Sequence, residues 1–205
     1  MEARSLERDP SAAEPAGWKP ADPGPLGLAA FAMTTFVLSM INSNFIDPKD
    51  TPIVLGLALA YGGIGQILAG MWEFRTGNTF GAVAFTSFGA FWISFWLIEV
   101  FYAKDITGNV GHAVGLYLWA WAIFTAYMTV AALRTSGAVL LVFVLLTITF
   151  VLLAIGNTGP HTTVLHWGGY FGLATALAAW YASFAAVVNS TFGRVVLPIF
   201  PLAAR

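Results

Sequence analysis

Charged side chains fall along this chain in short clusters, and between them run long apolar windows. Residues 23–46, 51–72, 76–98, 106–133 and 135–193 contain no Asp, Glu, Lys or Arg. About 20 consecutive apolar residues cross a hydrocarbon core roughly 30 Å thick as a helix, so each of the first four windows accommodates one crossing. The fifth is long enough for two, and Gly156-Asn157-Thr158-Gly159-Pro160-His161 supplies a turn between them. The pattern predicts an all-α integral membrane protein of six helices, over 26–44, 52–73, 79–102, 112–133, 137–156 and 164–189. The first starts behind Pro25, whose missing N–H costs nothing in a first helical turn, and ends among Asn42, Ser43 and Asn44.

Composition agrees with lipid as the solvent. Hydrophobic residues make up 58% of the chain and charged ones 9%, against about 25% charged in soluble domains, and the mean hydropathy is +0.77. A net charge of -1 offers no basic face to nucleic acid. With no Cys there is no disulfide framework, thiolate metal site or cysteine nucleophile. Residues 1–21 are polar and rich in Ala, Pro and Glu, without the apolar segment of a signal peptide, and read as a disordered cytoplasmic tail. The transmembrane domain is expected over 22–198, and 199–205 as a short cytoplasmic C-terminal tail.

Six crossings return the chain to its starting side. That side carries Arg4, Arg8, Lys19, Arg75, Arg134, Arg194 and Arg205, whereas the other holds only Lys49 and Lys104. Positive charge is retained on the cytoplasmic side, so both termini are expected there, with the chain in the plasma or inner membrane. Trp72, Trp119 and Trp167 fall near span ends, as in an interfacial aromatic belt, while Trp92, Trp96 and Trp180 lie deeper and read as packing. Small residues recur inside the spans, as in Gly56, Gly62, Gly63, Gly65 and Gly70, and in the Gly168-x-x-x-Gly172 spacing. They allow close backbone approach where lipid provides no hydrophobic drive for helix association. Packing within one chain is the plainer use, and contact between subunits the other; a six-helix chain this short suggests a homo-oligomer with a path in each protomer.

The embedded polar residues exclude several machines. No Lys or Arg lies in a span core, so neither a Schiff-base lysine nor an arginine ladder is available, and Glu99 is the one acid inside a span rather than at its last residue. Glu99 near a helix end reads as an interfacial carboxylate reaching water, with a proton path as the alternative. His112, His161 and His166 map to the outer half or outer loops, and the five-residue spacing of the last pair across a turn does not suit a metal site; no metal or other cofactor is expected. The neutral polar groups carry more information: Thr34, Thr35 and Asn42 in the first span, Tyr61 and Gln66 in the second, Thr86 and Ser87 in the third, Asn157 near the fifth and Asn189 ending the sixth. Such groups are costly in lipid and point inward, to one another or to an aqueous path. A path lined by hydroxyls and amides without fixed charge suits a small solute needing modest hydrogen bonding.

The stretch Asp22-Pro23-Gly24-Pro25-Leu26-Gly27-Leu28 resembles the Asn-Pro-Ala-Pro-Leu-Gly-Leu signature that opens the first helix of the acetate uptake transporters, the succinate-acetate permease family of bacteria and fungi. Tyr61-Gly62-Gly63 with Gln66, Ala69 and Gly70, Gly77-Asn78-Thr79-Phe80-Gly81, Ala84-Phe85-Thr86-Ser87 and Leu153-Ala154-Ile155-Gly156-Asn157 resemble further landmarks, and Phe192-Gly193-Arg194 with Leu197-Pro198 the family's C-terminal end. The resemblance spans 22–198 in register. It departs at Asp22, where Asn is usual, and at Gly24, where Ala is usual; Asp, like Asn, accepts hydrogen bonds at a helix start, but adds charge.

The resemblance implies six helices per protomer, a homo-hexameric ring, and a separate substrate path in each protomer with a hydrophobic narrowing. Carried over on the matched motifs, that narrowing falls on Phe31, Phe88 and Leu146, with Phe88 standing where the family often has Tyr. The function implied is passive or proton-coupled movement of acetate and related small monocarboxylates, with succinate as a further candidate, across the membrane. A channel for a neutral solute such as ammonia or water is the alternative, followed by a structural or regulatory membrane subunit. An enzyme is the least supported class, because no nucleophile-base or metal constellation lies in the helices.

Overall fold

The computed structural model describes residues 18, 20–159 and 161–202. It contains six helices long and apolar enough to cross a membrane: α1 Gly24–Asn42, α2 Pro48–Thr76, α3 Thr79–Asp105, α4 Val110–Ala132, α5 Gly137–Thr158 and α6 Thr162–Phe192. The six predicted spans are all present. The largest boundary difference is at the start of α2, where a 3₁₀ turn over Pro48–Asp50 precedes the α-helix, and the ends of α2, α3 and α6 each run three residues past the expected ones. The turn expected over Gly156–His161 begins later, because Gly156 and Asn157 are still helical. Gly156 is retained inside a helix for packing, since a Cβ there would run into the backbone of Leu165 on α6.

Local signals set the helix ends. Asn78 accepts a hydrogen bond from the Gly81 N–H at 3.1 Å, Asn109 from the His112 N–H at 3.1 Å, and Ser136 from the Val139 N–H at 3.3 Å. Each thereby satisfies one of the orphaned donors of a helix start. α2 and α6 stop at Gly77 (φ 80°) and Gly193 (φ 64°), in the left-handed conformation that glycine adopts without steric penalty.

The helices run up and down in sequence around a ring that α6 closes by packing along α1. Five of the six joints bring backbones close, and glycine makes each possible. Gly62 receives Thr34 at the α1–α2 joint, Gly70 receives Thr86 at α2–α3, Gly115 receives Thr158 at α4–α5, Gly168 receives Leu153 at α5–α6, and Gly172 receives Ser39 at α6–α1. Gly168 and Gly172 thus serve packing within the chain. The sixth joint is different: the backbones of α3 and α4 have few close approaches, and large rings fill the space between them. Phe91 lies 5.8 Å from Tyr117 and 5.2 Å from Trp121, and Phe88 lies 5.3 Å from Phe124.

The α2–α3 and α4–α5 turns, the start of α1 and the end of α6 lie at one face of the ring, here called the terminal face. Of the tail expected over 1–21, residues 1–17 and 19 lie outside the described residues, while Trp18 packs edge-on against Trp72 at 5.8 Å. In the segment expected as a C-terminal tail, the described residues are docked: the Gly137 N–H donates to the Phe200 carbonyl at 2.7 Å and the Leu202 N–H to the Thr135 carbonyl at 3.1 Å. Asn189 holds the preceding turn. It accepts from the N–H groups of Val196 and Leu197 and donates to the Leu197 carbonyl, at 2.7, 2.9 and 2.8 Å.

Candidate functional site

Two cavities lie in line inside the ring. At the face opposite the termini a vestibule of about 400 Å³ is lined by α1, α3, α4 and α5, with Thr51 from α2. Its walls are mostly apolar, and Asn42, Thr51, Glu99, Tyr102, Tyr117 and Asn157 are the polar side chains among them. Toward the terminal face lies a far smaller cavity of about 20 Å³, bounded by Leu28 and Phe31 of α1, Gln66 of α2, Ala84, Phe85 and Phe88 of α3, and Val142, Phe143 and Leu146 of α5. That is room for about one water molecule.

Between them stands an apolar plug. Phe31, Phe88 and Leu146 are all buried, the Phe31 and Phe88 rings are 5.8 Å apart, and all three border the smaller cavity. Phe91 and Phe150, whose rings meet edge to face at 5.3 Å, form the vestibule floor. Phe88 links the two layers, stacking nearly parallel on Phe150 at 6.4 Å. On α5 the step from Leu146 to Phe150 corresponds to about 6 Å at the α-helical rise.

The polar residues singled out from the sequence divide into two groups. Asn42 and Asn157 line the vestibule, where the Asn157 amide is anchored by donating to the Leu153 carbonyl at 2.8 Å. Gln66 borders the smaller cavity and is fully buried, its carbonyl oxygen without a partner among the described residues. Thr34 and Thr86 sit in the α1–α2 and α2–α3 joints instead, each hydroxyl seated against a glycine; Thr34 donates to the Ala30 carbonyl at 2.9 Å. Tyr61 and Ser87 border neither cavity, and Thr35 is buried within α1. Glu99 lines the vestibule, whereas His112, His161 and His166 do not. Among the described residues no three His, Asp or Glu side chains come together as a metal site.

The signature segment builds the terminal-face end of α1. Asp22 accepts the Gly24 N–H at 2.9 Å, Pro23 is buried, and Pro25 offers its carbonyl to the Ser183 hydroxyl of α6 at 2.7 Å. Gly27 lies directly against the Phe85 ring, Leu28 borders the smaller cavity, and Leu26 faces outward. Asp22 thus shapes the entry to the helix, and the segment lies at the terminal-face approach to the plug.

Several residues of the site are not evident from polarity. Phe91, Phe143 and Phe150 complete the plug, and their signal in the sequence is spacing. Phe88, Phe91, Phe95, Ile98 and Tyr102 on α3, and Phe143, Leu146, Phe150, Leu153 and Asn157 on α5, recur every three or four residues and so share a helix face. Glu73 is another. It is 2% exposed, accepts from the Thr76 hydroxyl at 3.1 Å, and lies beside Gly24 and Gly81, where Cβ atoms would meet its carboxylate. A buried acid thus joins the starts of α1 and α3.

Comparison with known proteins follows this architecture. Acetate permease A of Emericella nidulans is 42% identical over 195 residues, covering 87% of this chain and 65% of the relative. The succinate-acetate/proton symporter SatP of Escherichia coli is 40% identical over 182 residues, covering 88% of this chain and 96% of the relative. The chain therefore spans about two thirds of the fungal protein and nearly all of the bacterial one. The solved structure of the bacterial acetate channel SatP superposes with a TM-score of 0.83 at 40% identity, covering 88% of this chain and 99% of that one. The family model of the GPR1/FUN34/yaaH proteins matches residues 6–204, and the chain belongs to that family.

Proposed function

We propose that the protein moves acetate and related small monocarboxylates across the cell membrane, through one path in each protomer of a homo-hexamer whose termini face the cytoplasm. The observation that carries this reading is the alignment of two cavities on either side of a short apolar plug. At neutral pH the substrate is an anion: a carboxyl group with a pKa near 4.3 is uncharged in only about one molecule in 500. Stripping water from that charge is expensive in a low-dielectric interior. The plug residues on α5, Phe143 to Phe150, span about 10 Å at the helical rise, which limits the stripped distance. Phe31, Phe88 and Leu146 form its terminal-face layer, so they control whether the line wets or stays dry.

The polar groups fit weak, transient handling rather than tight binding. Asn42, Asn157 and Thr51 can hydrogen-bond a carboxylate in the vestibule, and Gln66 waits beyond the plug. Among the described residues no Lys, Arg or His lines either cavity, which favours weak holding and easy release of the anion.

Uptake of labelled acetate into liposomes containing the purified protein, with and without a pH gradient and against protein-free liposomes, tests the reading. Flux that follows the acetate gradient alone fits a channel, and flux accelerated by an inward proton gradient with accompanying proton entry fits a symporter. Acetate uptake no faster than in protein-free liposomes, alongside rapid ammonia or water permeation, would replace the reading with a neutral-solute channel.

A further inference from the structure

Among the described residues the vestibule is lined by one acid and no base. Glu99 is the only Asp or Glu on its wall, and no Lys, Arg or His side chain borders it; Tyr102 and Tyr117 are the remaining titratable groups there. The Tyr117 hydroxyl is committed to the Ser94 hydroxyl at 2.6 Å and the Phe91 carbonyl at 3.1 Å. Glu99 sits at the start of the π-helical turn Ile98–Tyr102, a distortion frequent at functional sites, and Ile98, Glu99 and Tyr102 all face the cavity. Glu99 is exposed, so water satisfies its carboxylate without a protein partner, and the cavity it borders is open volume.

Low-dielectric walls focus the field of a charge along a cleft. A fixed carboxylate in such a vestibule lowers the occupancy of any anion, and a dianion feels the repulsion twice. Building on the carboxylate-transport reading, we infer that Glu99 is a specificity-determining residue, a charge filter in the vestibule that favours monocarboxylates over dicarboxylates. The repulsion acts on occupancy and not on the plug, so it scales with solute charge and is indifferent to solute shape. Removing it raises flux by a factor for a monoanion and by about the square of that factor for a dianion.

The experiment compares wild type with Glu99→Gln in liposomes at pH 8, where both carboxyls of succinate are ionised. Three solutes are used: acetate, succinate, and acetamide as an uncharged molecule of acetate's size. A unit-charge pair in near contact across water changes occupancy up to about fivefold, so with some separation the substitution should raise acetate flux about threefold and succinate flux about ninefold, leaving acetamide unchanged. A second measurement needs no variant: in wild type the succinate-to-acetate flux ratio should rise as added inert salt shortens the range of the field. Equal changes for all three solutes in the variant would reduce Glu99 to a packing residue, and a ratio independent of salt would overturn the filter even if Glu99→Gln did not fold. Absence of acetate flux in wild type would instead refute the transport reading, and the filter with it.

Discussion

Replacing Leu146 with Ala separates a residue of the plug from an ordinary core leucine. Leu146 is 3% exposed and borders the smaller cavity, so the outer carbons of its side chain are what keep that space to about 20 Å³. A buried Leu→Ala substitution costs about 2–5 kcal/mol. Here the lower end, about 2 kcal/mol, is expected. The new void merges with an existing one that water can enter, and between helices in lipid the lost term is packing alone. Melting in detergent should drop by about 5 °C. Flux responds in the opposite direction, because a wider plug retains water around the crossing carboxylate. Each 1.4 kcal/mol removed from the barrier is worth about tenfold, and about a tenfold gain in acetate flux is expected, with a larger gain for butyrate. The assay is uptake of both solutes into liposomes, normalised to folded protein by size-exclusion recovery. Unchanged acetate flux per folded molecule together with an unchanged butyrate-to-acetate ratio would remove Leu146 from the path and leave it as packing.

Gly169 lies against the backbone of Asn42 and Ser43, where a Cβ would approach within 2.6 Å of the Asn42 carbonyl carbon; Gly169→Ala should push α6 from the end of α1 and lower the melting temperature more than the same change at Gly56, which has nothing within 4 Å. Asn189→Ala removes three hydrogen bonds at the end of α6 and should cost about 1–3 kcal/mol, read as faster proteolysis of the C-terminal segment. The chain has no native Cys, so Ser5→Cys and Lys104→Cys report orientation cleanly: an impermeant thiol reagent applied to intact cells should label position 104, and labelling at 5 alone would invert the topology. Native mass spectrometry in mild detergent should give six copies, and a monomer that still carries acetate would refute the need for a ring.

The spans were legible because charge is prohibitive in lipid, so its absence marks each crossing to within a few residues, although the 135–193 window had to be divided at a glycine- and proline-containing turn. Helix interiors were less so. Gly156 looks like a turn signal in isolation, yet inside a membrane bundle it serves close packing against Leu165 and leaves the turn to begin at Gly159. Polarity was also an imperfect guide to the path. A threonine in a helix can satisfy itself on the carbonyl four residues back, as Thr34 does, and then pack in a joint without seeing the solute. Asn42 and Asn157 sit near helix ends with longer, more polar side chains, and these do reach the vestibule. Phe31, Phe88 and Leu146 were singled out from matched motifs and border one cavity; Phe91, Phe143 and Phe150 beside them were not, because three- and four-residue spacing of aromatic residues on α3 and α5 does not distinguish a path from core in sequence alone.

A ring of six staves with five stiff joints and one compliant joint yields at the compliant one. Glycine-mediated joints have no slack, since backbones there already touch, and shifting them means losing many contacts at once. Between α3 and α4 the load passes through the rings of Phe88, Phe91, Tyr117, Trp121 and Phe124. Rotating an aromatic side chain about its χ angles changes its thickness along the joint without breaking a backbone hydrogen bond. Two of these rings, Phe88 and Phe91, also belong to the plug. In the proposed path the narrowing therefore borders the joint with the fewest close backbone approaches, and a swing of α4 away from α3 would widen the bore and loosen the plug in a single movement.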